Sequence, residues 1–74
     1  MIESFSKNED LNSVTWSYQK KTVVWNVTGL DQAVIDYEYQ KVYVLSEGEK
    51  LPGKLDVLDW EGKLVFSCSP PQKS

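Results

Sequence analysis

Five acidic side chains in two short groups are the first candidates for chemistry. Asp56, Asp59 and Glu61 form one group, and Asp36 and Glu38 form a similar pair earlier in the chain. Paired carboxylates can transfer protons or bind Mg²⁺ and Ca²⁺. Asp56 and Asp59, however, have opposite parity on a strand, and the ligand spacing of a calcium-binding loop is absent. We interpret these carboxylates as a solvated rim and predict no metal and no cofactor.

The remaining residue types do not support nucleophilic catalysis. The chain has no histidine, which removes the commonest general base and the Ser–His and Cys–His pairs. The one cysteine, Cys68, shares an alternating face with Leu64 and Phe66, and we interpret it as a small buried hydrophobic residue. Four scattered glycines do not form a phosphate-binding loop. We assign no catalytic residue and predict that the protein is not an enzyme.

Aromatic side chains are the other candidates for binding chemistry. They are Trp16, Tyr18, Trp25, Tyr37, Tyr39, Tyr43 and Trp60. Aromatic rings beside a few polar groups suit a base, a sugar or a peptide, although packing into a core is their commoner use. If one of them binds a partner, we expect Trp60 first, because alternation leaves it on the second face of its strand beside a turn. Tyr43 is the next candidate.

Length, charge and composition limit the class of protein. The chain has 74 residues, of which 41% are hydrophobic and 26% charged, which fits one small globular domain. Its net charge is −3 and its basic residues are all lysines, so the clustered arginines that bind nucleic acid are missing and we expect no nucleic-acid partner. We expect no membrane association, because no apolar run reaches a membrane span. The single cysteine and the absence of a leader pattern predict a cytoplasmic protein.

The segments that position these side chains are all predicted to be β-strands. Apolar residues alternate with polar ones, as in half-buried strands, and no segment repeats with the helical period. The predicted strands are 13–18, 22–28, 33–39, 41–46, 54–60 and 63–68. Short turns at 19–21, 40–41 and 61–62 join them into three consecutive hairpins. The sequence therefore predicts an all-β fold of six antiparallel strands, arranged as a small barrel or a strongly twisted meander sheet.

The three hairpins are related by a period of about 21 residues, which aligns Tyr18, Tyr39 and Trp60. Either a duplication or a plain meander with even strand lengths explains this period, and the strand prediction depends on neither.

We divide the chain into three parts. Residues 1–12 form a polar N-terminal arm, which is ordered only if Ile2 or Phe5 packs against the domain. Residues 13–68 form a single β domain. Residues 69–74 form a flexible C-terminal tail, because two prolines end the last strand.

Several predicted strands carry apolar residues on both faces, which is typical of strands covered on both sides. The predicted interaction face consists of Trp60, Tyr43, Val24, Val34, Leu45, Leu58 and Val65. Such a patch usually marks an interface, unless the strands of a closed monomer exchange faces at a bulge near 47–53. The sequence favours a small non-catalytic protein-interaction module, of accessory, inhibitor or immunity-like type, that binds a second copy, another protein or both. The alternative is a small-ligand-binding protein whose aromatic pocket for a nucleotide or metabolite forms between subunits.

Overall fold

Seven antiparallel strands in two sheets form the fold of the computed structural model, which describes residues 1–48 and 51–69. The strands are β1 Ser4–Asn8, β2 Ser13–Tyr18, β3 Lys21–Asn26, β4 Leu30–Asp36, β5 Lys41–Gly48, β6 Leu51–Asp59 and β7 Leu64–Cys68. The first three pair in the order β1-β2-β3, and the other four pair in the order β4-β5-β6-β7. A short 3₁₀ turn, Glu9–Leu11, joins β1 to β2.

The predicted all-β class and antiparallel pairing are confirmed, but the arrangement differs in detail. The six predicted strands correspond to β2 through β7, and the three predicted hairpins are β2–β3, β4–β5 and β6–β7. The chain forms neither a closed barrel nor a single meander sheet, because β3 and β4 do not pair and the strands separate into two sheets.

A seventh strand, β1, occupies the segment predicted as a polar arm. It pairs along its whole length with β2, from Ser4 opposite Ser17 to Asn8 opposite Ser13. The stated condition for its order is met, because Ile2 is buried and Phe5 packs against the core. Of the predicted C-terminal tail, only Ser69 lies within the described residues.

The inner faces of the two sheets enclose the core. Its fully buried members are Val14, Trp16, Val42, Val44 and Leu58. Trp16 is the largest of these side chains, and its indole Nε1 donates a hydrogen bond of 2.8 Å to the carbonyl oxygen of Trp60. A buried indole usually has such an acceptor, and this bond connects the centre of one sheet to the end of the other.

The chain passes from one sheet to the other immediately after β3. The amide of Val27 donates to the carbonyl oxygen of Asn12 at 2.8 Å, and the amide of Glu47 donates to that of Gly29 at 2.7 Å. Gly29 has a φ of +71°, and a Cβ built on it would lie 2.8 Å from the backbone oxygen of Glu47. Only glycine fits this crossing without a shift of the main chain.

The three residues that the 21-residue period aligns lie in different local structures, so the alignment does not match equivalent positions. Tyr18 is the last residue of β2, whereas Tyr39 and Trp60 lie in turns. The strands after the three turns begin at residues 21, 41 and 64, which are not evenly spaced.

Candidate interaction face and end cleft

The solvent side of the four-stranded sheet carries two rows of mainly apolar side chains that cross all four strands. In one row Val34, Tyr43, Val57 and Phe66 lie opposite one another, and in the other Gln32, Leu45, Leu55 and Cys68 do so. Opposite residues of an antiparallel pair share a face of the sheet. We name the apolar members of these rows and the cysteine the outer apolar face: Val34, Tyr43, Leu45, Leu55, Val57, Phe66 and Cys68.

This face is shallow and partly open to solvent. Val34 and Phe66, at its two ends, are 50% and 52% exposed, whereas Val57 between Tyr43 and Phe66 is only 1% exposed. A groove of about 310 Å³ runs over the β4 side of the face, lined by Gln32, Val34, Tyr43, Leu45 and Leu55. The centre of the face is therefore packed, and its ends offer apolar surface to a partner.

The solvent side of the three-stranded sheet has the opposite character. Its cross-strand rows are Ser4, Ser17 and Thr22, then Ser6, Thr15 and Val24, then Asn8, Ser13 and Asn26. Neighbouring polar groups bond to each other, as the 2.7 Å contact between the Ser4 and Ser17 hydroxyl oxygens shows. Val24 is the one apolar residue in this polar array, so only one of the two sheets has an apolar solvent face.

The predicted interaction residues fall in different places in the structure. Val34, Tyr43 and Leu45 lie together on the outer apolar face. Val24 is on the polar face of the other sheet, and Val65 lies at the register shift of β7. Leu58 has no exposed surface.

Leu58 is thus a correction, because it points into the core opposite Val42 and cannot reach a partner. The alternation of β6 was assigned in the wrong phase, since Leu55 and Val57 rather than Leu58 lie outside. Sequence reasoning also missed Phe66 as a face residue, although its position opposite Val57 follows once the β6–β7 register is known. Cys68 is on an apolar face as expected, but it is exposed rather than buried.

Trp60 lies at the end of the core and not on the outer apolar face. Its ring is half-buried and contacts Tyr18 and Tyr37, with centroid separations of 6.2 and 6.1 Å and tilted or edge-on planes. Such edge contacts are favourable for aromatic pairs. Tyr37 and Tyr39, predicted on a strand, lie instead in the β4–β5 turn and are exposed.

Tyr18 and Trp60 border a cleft of about 420 Å³, which we name the end cleft because three hairpin turns meet there. It is lined by Met1, Tyr18, Gln19, Gln40, Lys41, Asp59, Trp60 and Glu61. Its polar side chains come from all three turns, and its aromatic side chains come from the last turn and the end of β2. The structure therefore brings aromatic and polar side chains of one chain together around this cleft.

The acidic residues at this end shape the turns. Oδ1 of Asp59 accepts hydrogen bonds of 2.9 Å from the amides of Glu61 and Lys63. Oδ1 of Asp36 accepts from Glu38 and Tyr39 in the same way, at 3.0 and 3.2 Å. Both aspartates therefore stabilise turns, which is a common use of this residue type.

The electrostatics of the cleft favour a neutral tyrosine. Burial raises the pKa of Tyr18 above its ordinary value of 10.0, and the hydrogen-bonding carboxylate of Glu61 and the charge of Asp59 raise it further. Ionised Tyr18 would face two negative charges, so its hydroxyl remains protonated.

Asp56 is not part of a solvated rim. It lies on the inner face of the four-stranded sheet, opposite Val44 and Ser67, and is 4% exposed. Its Oδ1 has no hydrogen-bond partner among the described residues, and the Nζ of Lys54 is 3.7 Å away. The contacts of Asp56 therefore offset only part of the cost of burying its carboxylate.

Within residues 1–48 and 51–69, no group of three or more His, Cys, Asp or Glu side chains is arranged to hold a metal ion. No helix in the same part of the chain is long and apolar enough to cross a membrane. No protein-family model, curated protein or solved structure matches this chain.

Proposed function

We propose that this chain is a small, non-catalytic protein-interaction module of accessory, inhibitor or immunity-like type, which acts in the cytoplasm and binds a protein partner through the outer apolar face. The observation that carries the proposal is the contrast between the two solvent faces. Each sheet needs one apolar face to form the core, and the four-stranded sheet alone has a second one. Exposed apolar patches bordered by polar residues are typical of protein contact sites.

The ends of the face provide the binding energy in this proposal. Val34 and Phe66 are each about half exposed, so covering them contributes roughly 1 kcal/mol apiece at the usual value per unit of apolar area. The packed centre around Val57 needs no rearrangement before binding. A partner with a flat apolar surface or an apolar strand fits this shape.

The chain offers a matched pair of positions for a direct test. Val34 and Val24 are the same residue type on an edge strand of each sheet, and they are 50% and 54% exposed. A photo-crosslinking amino acid is placed at one position or the other, and the protein is expressed in cells and irradiated. We expect a discrete adduct with one protein from position 34 and none from position 24.

Equal adducts from both positions would show that the crosslinker reports collisions and not a docking face. The absence of any adduct from position 34 would reject the proposal, provided that a known complex expressed at the same level is captured under the same irradiation. Val34→Lys in the protein without the crosslinker should weaken partner binding, because a charge in the face must be desolvated on binding. Val24→Lys is its control.

The end cleft supports a second candidate function, the binding of a small polar ligand with a planar ring, such as a nucleotide or another metabolite. Gln19 and Gln40 both line the cleft with positive φ values of 48° and 56°. This conformation costs a residue with a side chain about 1 kcal/mol relative to glycine. The presence of two amide side chains at strained positions beside Trp60 favours a role for those side chains.

A thermal-shift screen with nucleotides and metabolites tests this candidate, because a ligand of the folded state raises the unfolding temperature. Gln40→Gly is the informative variant. It removes both the amide and the strain, so we expect the free protein to gain stability while the ligand-induced shift disappears. A panel without any hit, or a shift that Gln40→Gly preserves, would exclude the cleft.

A further inference from the structure

We propose that β7 pairs antiparallel with β7 of a second copy about a twofold axis at Phe66, which joins the two four-stranded sheets into one eight-stranded sheet. The two outer apolar faces then lie side by side and form one continuous surface across the axis. The use of that doubled surface for docking rests on the proposed function, whereas the dimer itself rests only on the observations below.

The four edge strands of the two sheets differ in how they are protected against pairing. β1 carries Lys7, β3 carries Lys21, and β4 carries Asp31 and Asp36. The edge strand β7, with the sequence LVFSC, has no charged residue and no proline. Charges and prolines on an edge oppose strand addition. β7 has neither, and its protection is limited to the bulge at Val65, where its register with β6 shifts.

β7 is also the edge with the most exposed apolar side chains. All five of its residues are exposed, and Leu64, Val65 and Phe66 are 46% to 52% exposed. Within the described residues β7 pairs only with β6. Main-chain amides and carbonyls along its other side have no strand partner in the part of the chain that the structure describes, and strand addition uses such groups.

The length of β7 determines the register of self-pairing. An antiparallel pair of identical five-residue strands overlaps completely only when the central residues, Phe66 of each copy, lie opposite one another. Directly opposite residues share a face, so both phenylalanines lie on the outer side. The row of Val34, Tyr43, Val57 and Phe66 then continues into the same row of the second copy, and Phe66 moves from the end of the face to its middle.

A second copy fits this edge better than an unrelated strand for two reasons. The contact is isologous, with Phe66 opposite Phe66 and Leu64 opposite Cys68, and such twofold contacts are the commonest in oligomers. Neither strand brings a charge that the other must neutralise. Five residues span only about 17 Å, so the interface is smaller than a standard one and we expect a dissociation constant in the micromolar range.

The first test is sedimentation equilibrium of the purified chain from about 1 µM to about 0.5 mM, which spans the expected dissociation constant. We expect a reversible monomer–dimer equilibrium. Phe66→Lys and Phe66→Glu each place like charges opposite one another and should weaken the dimer about tenfold or more. An equal mixture of the two variants should recover it, because opposite charges then meet across the axis. Val24→Lys, on the other sheet, should leave the dimer unchanged.

A second test depends on register and not on disruption. With Phe66 opposite itself, a cysteine at position 66 lies within disulfide distance of its copy. Two copies of Cys68 would be four residues apart along the strands, about 14 Å. We therefore expect Phe66→Cys in a Cys68→Ser background to form a disulfide-linked dimer on mild oxidation and the natural chain not to. Far-ultraviolet circular dichroism of each variant checks that the sheets are intact.

A monomer at every concentration, or a charge-swapped mixture that stays monomeric while each variant is folded, would overturn the self-pairing. Growth beyond a dimer would also do so, because it indicates head-to-tail contacts. These results leave the proposed function standing if position 34 still crosslinks to a partner. A dimer with no adduct at position 34 would instead reject the proposed function and keep the dimer.

Discussion

Replacement of Asp56 by valine should make the protein more stable, against the usual direction of core substitutions. The Asp56 side chain is 5% exposed, and its Oδ1 has no hydrogen-bond partner among the described residues. A nearby cation, Lys54, has its Nζ 3.7 Å from Oδ1 of Asp56 and is 57% exposed, so it is largely solvated and offsets little of the burial cost. Valine has a similar volume and matches its cross-strand neighbour Val44.

The magnitude follows from two contributions. A buried polar atom without a partner costs about 1–3 kcal/mol, and Asp56→Val removes that cost. The new methyl groups add a smaller gain from apolar burial. We expect an increase of about 1–3 kcal/mol in the free energy of unfolding, which corresponds to about 5–15 °C in the midpoint temperature for a domain of this size.

Urea unfolding monitored by tryptophan fluorescence measures this change, and an unaltered slope shows that the two-state comparison is valid. Lys54→Met is the control, since a cation that is mostly exposed should contribute less than about 1 kcal/mol. If Asp56→Val is no more stable than the natural chain, the cost of burying the carboxylate is offset by interactions that its contacts do not account for. The reasoning about its burial would then be refuted.

Three further predictions concern the core, the crossing and the end cleft. Trp16→Ala should lower the free energy of unfolding by about 3–5 kcal/mol, a large part of the roughly 4–11 kcal/mol expected for a chain of this length. The loss should exceed that of Trp25→Ala, whose ring is only half-buried. Urea unfolding of the two variants measures the difference. Gly29→Ala should cost at least about 1 kcal/mol by the same assay, because its φ is positive and a Cβ meets backbone. Since burial and Glu61 raise the pKa of Tyr18 in the folded state, the unfolded chain ionises first, and stability should fall as pH rises through about 10; Tyr18→Phe should flatten that decline in a pH series of melting curves.

Most of the strand content follows from the sequence because alternation is a local property. The face of β2 that carries Val14, Trp16 and Tyr18 alternates strictly, and all three side chains are buried. The apolar run in β5 correctly indicated a strand with apolar residues on both sides, with Val42 and Val44 inside and Tyr43 outside.

The rest depends on contacts that alternation does not encode. β1 has a polar pattern apart from Phe5, and its order depends on packing of Ile2 and Phe5 against residues far along the chain. In β6 both parities are apolar, so the sequence does not specify whether Leu55 and Val57 or Leu58 lies inside. The position of Trp60 is set by the β6–β7 turn and the bond from Trp16, which are tertiary features.

The two solvent faces show that folding alone does not explain the outer apolar face. Serine, threonine and asparagine occupy the corresponding positions of the three-stranded sheet, except at Val24, and this sheet covers the same core. Apolar residues at exposed positions increase the risk of aggregation, so their concentration on the solvent face of one sheet favours a contact function. The uncharged edge β7 borders this face, and Phe66 belongs to both.

This shared residue makes the two proposals separable in one pair of variants. Val34→Lys should abolish partner binding but leave the dimer intact, because Val34 lies at the edge of the sheet far from β7. Phe66→Lys should weaken both, since it removes part of the face and opposes self-pairing. Sedimentation and competition with the position-34 adduct measure the two effects. If Phe66→Lys lost the dimer and kept full partner binding, docking would need only one copy of the face, and the doubled surface would have no role in it.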